Sequence, residues 1–184
     1  MTAKVTDIHQ NLIDACRNDD GKAQRELYHL YAKQMYNVSM RIVNHVGEAE
    51  DILQESFLEA FRRVKEFRGE ATFGSWLKRI VVNRSINSLR KKRMVLFEHI
   101  HAFEHIADEE GVMDETNLTA LKLMQLVSEL PDGYRLVLTL YLFENYKHSE
   151  IATLLNITES TSKSQYNRAK ARIREQLKKI EYER

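Results

Sequence analysis

The sequence predicts an all-α protein made of two small helical domains joined by a flexible acidic linker. Three observations lead there. One proline and six glycines among 184 residues leave few breaks in a helical chain. Apolar residues recur at every third or fourth position over most of its length. Between Met94 and Leu121 that periodicity fades, lysine and arginine are absent, and acidic residues gather.

Taken in chain order, an apolar-periodic stretch holds Ile8, Leu12, Ile13 and Cys16, so Cys16 reads as a small buried thiol. Leu27, Tyr31, Met35, Val38 and Ile42 mark one amphipathic helix, and Leu53, Phe57, Ala60, Phe61 and Val64 a second, joined near His45 to Gly47. A short turn, Arg68-Gly69-Glu70-Ala71-Thr72, precedes a third helix from about Phe73 to Arg93 that carries Trp76, Leu77, Ile80, Ile86 and Leu89. The acidic stretch follows, with Glu98, Glu104, Asp108, Glu109, Glu110, Asp114 and Glu115. Periodicity returns at Leu118, Leu121, Leu123, Leu126, Val127 and Leu130 until Pro131-Asp132-Gly133 breaks it, and another helix runs through Leu136, Val137, Leu140 and Phe143. Two helices then follow closely, Ser149 to Leu155 and Ser160 to about Ile180, with Thr158 as N-cap of the second. The predicted domains are residues 1–93 and 118–184, with the linker at 94–117.

Total charge excludes little. The net charge is only +1 although 30% of residues are charged, so any nucleic-acid signal lies in the distribution. A single cysteine excludes an internal disulfide and fits a reducing cytoplasm. No apolar run is long enough for a membrane span, and the start lacks the pattern of a signal peptide. The expected protein is soluble and cytoplasmic. Catalytic chemistry is not expected: Glu109-Glu110 lies in a segment without a preorganised pocket, and no phosphate-cradling glycine loop or nucleophile with a base is visible. His99, His101 and His105 lack a fixed partner ligand, so neither a metal nor another cofactor is expected.

Basic charge concentrates in two places. The first comprises Arg62, Arg63, Lys65, Arg68, Lys78, Arg79, Arg84, Arg90, Lys91, Lys92 and Arg93, opposed by Glu66 and Glu70. A solvated surface is the ordinary reading of such a run. Interleaved Phe67, Phe73 and Trp76, with Asn83 and Asn87 one turn apart, favour nucleic acid instead, because aromatics stack on unstacked bases and amides read base edges. Trp76 taken alone is the more usual core residue. The second concentration is Lys163, Arg168, Lys170, Arg172, Arg174, Lys178 and Lys179 on the last helix. The helix pair there has helix-turn-helix form, in which early residues of the second helix meet base edges in the major groove. Ser160, Thr161, Lys163, Ser164 and Asn167 form that early polar face. Ile151, Leu154, Leu155 and Ile157 are the expected small core between the two helices.

These residues resemble, over nearly the whole chain, the compact bacterial sigma factors of the extracytoplasmic-function group. The first half is similar to their second conserved domain through Ala49-Glu50-Asp51-Ile52-Leu53-Gln54-Glu55-Ser56-Phe57, Phe67-Arg68-Gly69 and Phe73-Gly74-Ser75-Trp76-Leu77-Lys78-Arg79-Ile80. The second half is similar to the fourth through Leu130-Pro131-Asp132-Gly133-Tyr134-Arg135, Ser149-Glu150-Ile151-Ala152 and Thr161-Ser162-Lys163-Ser164-Gln165-Tyr166-Asn167-Arg168-Ala169-Lys170. Many relatives carry glycine, valine and arginine at the positions of Ser160, Ser162 and Gln165.

The resemblance implies a subunit that binds core RNA polymerase, recognises a duplex -35 element and a -10 element, and promotes melting. Asp51, Gln54 and Glu55 would meet the clamp helices of the largest polymerase subunit, and the flap region would be a second contact. Phe67, Arg68, Arg79, Asn83, Arg84, Asn87 and Arg90 would serve the -10 element, with Asn83 on a flipped base and Phe67 and Arg68 shaping the loop. Ser160, Thr161, Lys163, Ser164, Asn167, Arg168 and Arg172 would serve the -35 element, with Arg168 suited to bidentate pairing with guanine. The linker would run through polymerase toward the RNA exit path. An anti-sigma factor, frequently membrane-bound in the family, is an implied partner, and a small-molecule substrate is not. The alternative from the helix-turn-helix alone is a stand-alone transcriptional regulator, which leaves the aromatic turn near Phe67 without a purpose.

Overall fold

Residues 20 to 23 begin a helix because Asp20 accepts hydrogen bonds from the backbone N–H groups of Lys22 (2.7 Å) and Ala23 (3.3 Å). Such local signals delimit most elements of the computed structural model, which describes residues 7–98 and 115–182. The described residues form eight α-helices and no strand. The chain divides into two compact units, Met1–Arg93 and Met94–Arg184.

In the first unit, α1 (Gln10–Arg17), α2 (Gly21–Val43), α3 (Val46–Arg62) and the long α4 (Phe73–Glu98) pack around one core. Leu27, Met35, Val38 and Ile42 from α2 meet Ile52, Phe57 and Ala60 from α3 and Phe73, Leu77 and Val81 from α4, all buried. This is the face that helical spacing predicts. Ile13 and Cys16 of α1 are fully buried too, whereas Ile8 precedes the helix and is 90% exposed, against the sequence expectation. Burial, and then the nearby Asp20 charge, pushes the Cys16 thiol up to about 11. The thiol is therefore held protonated and unreactive. Asn44, in the left-handed conformation, ends α2, and His45 Nδ1 accepts from the Glu48 N–H to start α3 at 3.2 Å. A 3₁₀ turn, Val64–Glu66, leads into the exposed loop before α4.

In the second unit, α5 (Glu115–Ser128), α6 (Asp132–Leu138), α7 (His148–Leu155) and α8 (Glu159–Tyr182) enclose Leu126, Val127, Leu130, Leu138, Ala169 and Ile173. Leu121, Leu123 and Leu177 are half-exposed at its margin rather than inside it. Arg135 is buried and donates to the Leu130 carbonyl (3.0 Å) and to Asp132 (2.6 Å), tying the end of α5 to the start of α6. The break at Pro131 is thus stapled, not loose. After α6 the backbone widens into one π-helical turn, Thr139–Phe143, where the sequence predicts continuous α-helix; the Glu144 N–H reaches back to the Thr139 carbonyl at 3.1 Å. The predicted linker falls mostly on residues 99–114, outside the described residues, as do His99, His101 and His105. At its near end α4 continues to Glu98, beyond the expected Arg93.

Candidate nucleic-acid interface

Two rows of side chains leave α4 on different sides. Arg84 donates to Glu59 (2.8 Å) and pairs with Glu55, while Ser88 and Lys92, each one turn further on, bond to Glu48. All three acceptors belong to α3, so this basic row fastens two helices of one unit. Burial raises the Glu59 carboxyl, but hydrogen bonds from Arg63 and Arg84 outweigh it and hold the group below the ordinary range. Arg84 is therefore engaged by α3, a pairing that its expected phosphate contact would have to exchange. Its partner Glu55 is shared between that bridge and the exposed α3 face carrying Asp51 and Gln54.

The other row comprises Arg79, Asn83, Asn87 and Arg90, all exposed and separated by four, four and three residues. At 100° per residue these lie within one narrow stripe of the helix. The stripe begins at a cleft of about 320 Å³ formed by the loop before α4 and the first turns of that helix. Phe67, Arg68, Glu70, Trp76 and Arg79 are among its lining residues. The rings of Phe67, Phe73 and Trp76 form a triangle with centroids 5.4 to 5.8 Å apart. Phe73 is fully buried and Phe67 nearly so, at 4% exposure; only Trp76 remains half-buried. Phe67 consequently acts on the loop from within and has no face free for a base. Asn83 lies outside the cleft, one turn beyond Arg79.

Gly69 turns the loop with φ 71°, a left-handed conformation that favours glycine. Gly74 meets a different demand: a Cβ there would come within 2.8 Å of the Tyr31 ring. Thr72 caps α4 locally, its hydroxyl accepting from the Ser75 N–H at 3.3 Å.

In the second unit, α7 ends in a Schellman arrangement with Asn156 in the left-handed conformation. The Ile157 N–H bonds the Ala152 carbonyl (3.0 Å) and the Asn156 N–H the Thr153 carbonyl (3.4 Å). Two residues later the Thr158 hydroxyl accepts from the Thr161 N–H at 3.0 Å, the cap read from the sequence. Ser160, Lys163, Ser164, Asn167, Arg168 and Arg172 are exposed and Thr161 is half-buried; the buried side of α8 is Ser162, Ala169 and Ile173. Lys163 pairs with Glu159 at 2.6 Å, an exposed bridge that costs little to exchange for another anion.

Of the expected inter-helix core only Ile151 is fully buried; Leu154, Leu155 and Ile157 are half-buried. An aromatic stack that the sequence reading missed supplies the rest. His148 stacks on Tyr141 from the π-turn (4.4 Å, 16° between planes) and meets the edge of Tyr166 from α8 (5.7 Å). His148 Nδ1 also lies 2.9 Å from the hydroxyl of Ser162. Ser162, one of the departures from many relatives, thus faces inward and serves the stack. Burial, with the Lys163 charge next, lowers the His148 pKa despite Glu159, favouring neutral imidazole.

Family models match both units: sigma-70 region 2 over residues 27–94 and sigma-70 region 4 over residues 120–173. The RNA polymerase sigma-H factor of Pseudomonas aeruginosa is 31% identical, covering 93% of this chain and 94% of the relative. The ECF RNA polymerase sigma factor SigW of Bacillus subtilis is 29% identical over 91% of this chain and 96% of its own length. The fold is similar to that of the sigma factor RpoE in complex with the anti-sigma factor NepR from Bartonella quintana, with TM-score 0.55 and 18% identity over 84% of this chain and 96% of that one. It is similar also to CnrH in complex with the cytosolic domain of CnrY, with TM-score 0.54 and 17% identity over 94% and 98%. A promoter-reading subunit accounts for both basic surfaces, where a stand-alone regulator accounts for one, and the chain belongs to the sigma-70 family, in its extracytoplasmic-function group.

Proposed function

We propose that this sigma factor reads its promoter with two unlike surfaces: the cleft and stripe of α4 take unpaired bases at the -10 element, and the exposed face of α8 reads the -35 element as duplex. The observation that carries the reading is the continuity of the cleft beside Trp76 with the row Arg79, Asn83, Asn87 and Arg90. A base cannot present its Watson–Crick edge until it leaves the stack, which costs a few kcal/mol. Stacking on an aromatic side chain returns about 1–3 kcal/mol per base, and phosphate contacts supply more. Arg68 and Arg79 sit where the cleft opens, and Asn83 and Asn87 follow along the strand's path as readers of the next base edges. No nucleotide hydrolysis is needed, and the chain performs no catalysis of its own.

Asp51 and Gln54, with Glu55 when Arg84 releases it, form the surface for the clamp helices of core polymerase, and residues 1–93 act as the polymerase-binding and melting domain. Residues 94–117 link it to the -35 domain at 118–184, which also meets the flap region. Ser160, Thr161, Lys163, Ser164, Asn167, Arg168 and Arg172 line the major groove, with Arg168 the base reader. RpoE, of similar fold, is a sigma factor in complex with the anti-sigma factor NepR, and CnrH, of similar fold, is in complex with the cytosolic domain of CnrY, which supports an anti-sigma partner and a cytoplasmic site of action here. Multi-round transcription by core polymerase, with and without the full chain, tests the whole. Promoter-dependent initiation is expected only with the chain present, and Asn83→Ala is expected to weaken -10 preference; initiation that ignores the chain would overturn the reading.

A further inference from the structure

The loop that shapes the cleft is exposed at Arg68, Glu70, Ala71 and Thr72. Its two ends are held from elsewhere. At one end Arg17, the last residue of α1, donates from Nη2 to the Phe67 carbonyl at 2.7 Å. At the other, Asp7 Oδ2 accepts the Phe73 N–H, the first of α4, at 2.6 Å. Asp7 is 4% exposed, and its second oxygen accepts the His9 N–H at 2.8 Å while its carbonyl accepts the Gln10 N–H at 3.1 Å. One carboxylate therefore joins the residue before α1 to the first residue of α4, 66 positions further along the chain from Asp7. Asp14 in turn holds the Arg17 guanidinium at 2.5 Å.

We infer that Asp7 and Arg17 are positioning residues for -10 reading, acting as a two-point clamp through which α1 sets the loop and the register of α4 before DNA arrives. The inference rests on the proposed role of the cleft. Both contacts are charge-assisted, the stronger class of hydrogen bond, and Asp7 sits where a helix N-terminus favours negative charge. α1 is itself anchored by fully buried Ile13 and Cys16, so the clamp has a rigid base. Between its two points lie only residues 68–72, including the left-handed Gly69. A loop fixed at both ends meets an extruded base without first being ordered, and that removes a cost from every recognition event.

The test uses the full chain with core polymerase, on a promoter identified by sequencing transcripts that start only when the chain is added. Permanganate reactivity of unpaired thymines reads open complexes on templates with single-base changes at -10 and at -35. Asp7→Asn and Arg17→Gln are each expected to reduce discrimination at -10 by about ten-fold, the factor corresponding to ~1.4 kcal/mol, while core-polymerase affinity and -35 discrimination hold. Ile13→Val, which loosens the same helix and leaves both contacts, is expected to lower the thermal midpoint and keep -10 discrimination. If Asp7→Asn does not fold, Arg17→Lys carries the test, since it keeps the charge and shortens the reach. Unchanged discrimination in the clamp variants overturns the inference, as does a loss that tracks thermal midpoint equally in all variants. Absence of any -10 preference in the wild type overturns the reading of the cleft and the clamp with it.

Discussion

Gly69 and His148 show how single residues carry the two reading surfaces. Gly69 holds φ 71° in a loop whose neighbours line the cleft. Gly69→Val forces a β-branched side chain into a region worth roughly 1–3 kcal/mol of strain, so the loop is expected to reshape. Melting at the -10 element should fall while binding of the -35 duplex stays, and footprinting on each element separates the two. His148 works through its neutral ring. Its pKa is lowered in the folded state, so its contribution is present above the ordinary value of 6.5 and is lost as pH falls through the folded value. The second unit should therefore lose thermal stability on acidification below 6.5, and His148→Gln should flatten that dependence. Phe67 belongs at this scale too: an aromatic beside a basic turn looks like a stacking platform in sequence, and burial at 4% exposure makes it a wall instead.

Part of the basic run on α4 pairs with α3, and part is exposed on another side of the helix. Local spacing reveals that Arg84, Ser88 and Lys92 share one side, but only the packed pair shows Glu48, Glu55 and Glu59 opposite them. Arg84→Met is expected to lower first-unit stability by about 1 kcal/mol, in keeping with a partly exposed pair. The sign with pH follows from Glu59, whose lowered pKa gives a contribution present above the ordinary value of 4.5 and lost as pH falls through the folded value. Thermal melts of wild type and variant should converge in acid. The helix-turn-helix was more legible, because its cap at Thr158 and its polar early face lie within one local segment. Its angle was less so, since Tyr141, His148 and Tyr166 come from three elements and a π-turn that spacing does not announce.

Across the whole molecule, a net charge of +1 conceals two basic surfaces of different purpose. Salt dependence distinguishes them. Arg79→Gln in the holoenzyme should reduce the slope of log affinity against log salt by about 0.7, the effect of losing one phosphate contact to a single strand, with base preference little changed. Arg168→Gln should instead relax preference at one -35 position by roughly 1–3 kcal/mol. Equal losses on every sequence variant would reassign Arg168 to the backbone.

The all-helical class, the buried faces of α2 and α3 and the helix-turn-helix with its cap were legible in the sequence alone, because they depend on residues three or four apart, where a periodic pattern is the physical interaction. The resemblance to the family was carried by motifs instead. Only the tertiary structure shows that Arg84 pairs with α3, that Phe67 is buried, and that Asp7 and Arg17 bond the two ends of the loop before α4 across 66 and 50 residues. Such pairings arise when the core brings distant segments together, and hydrogen bonds between them leave no period in the chain.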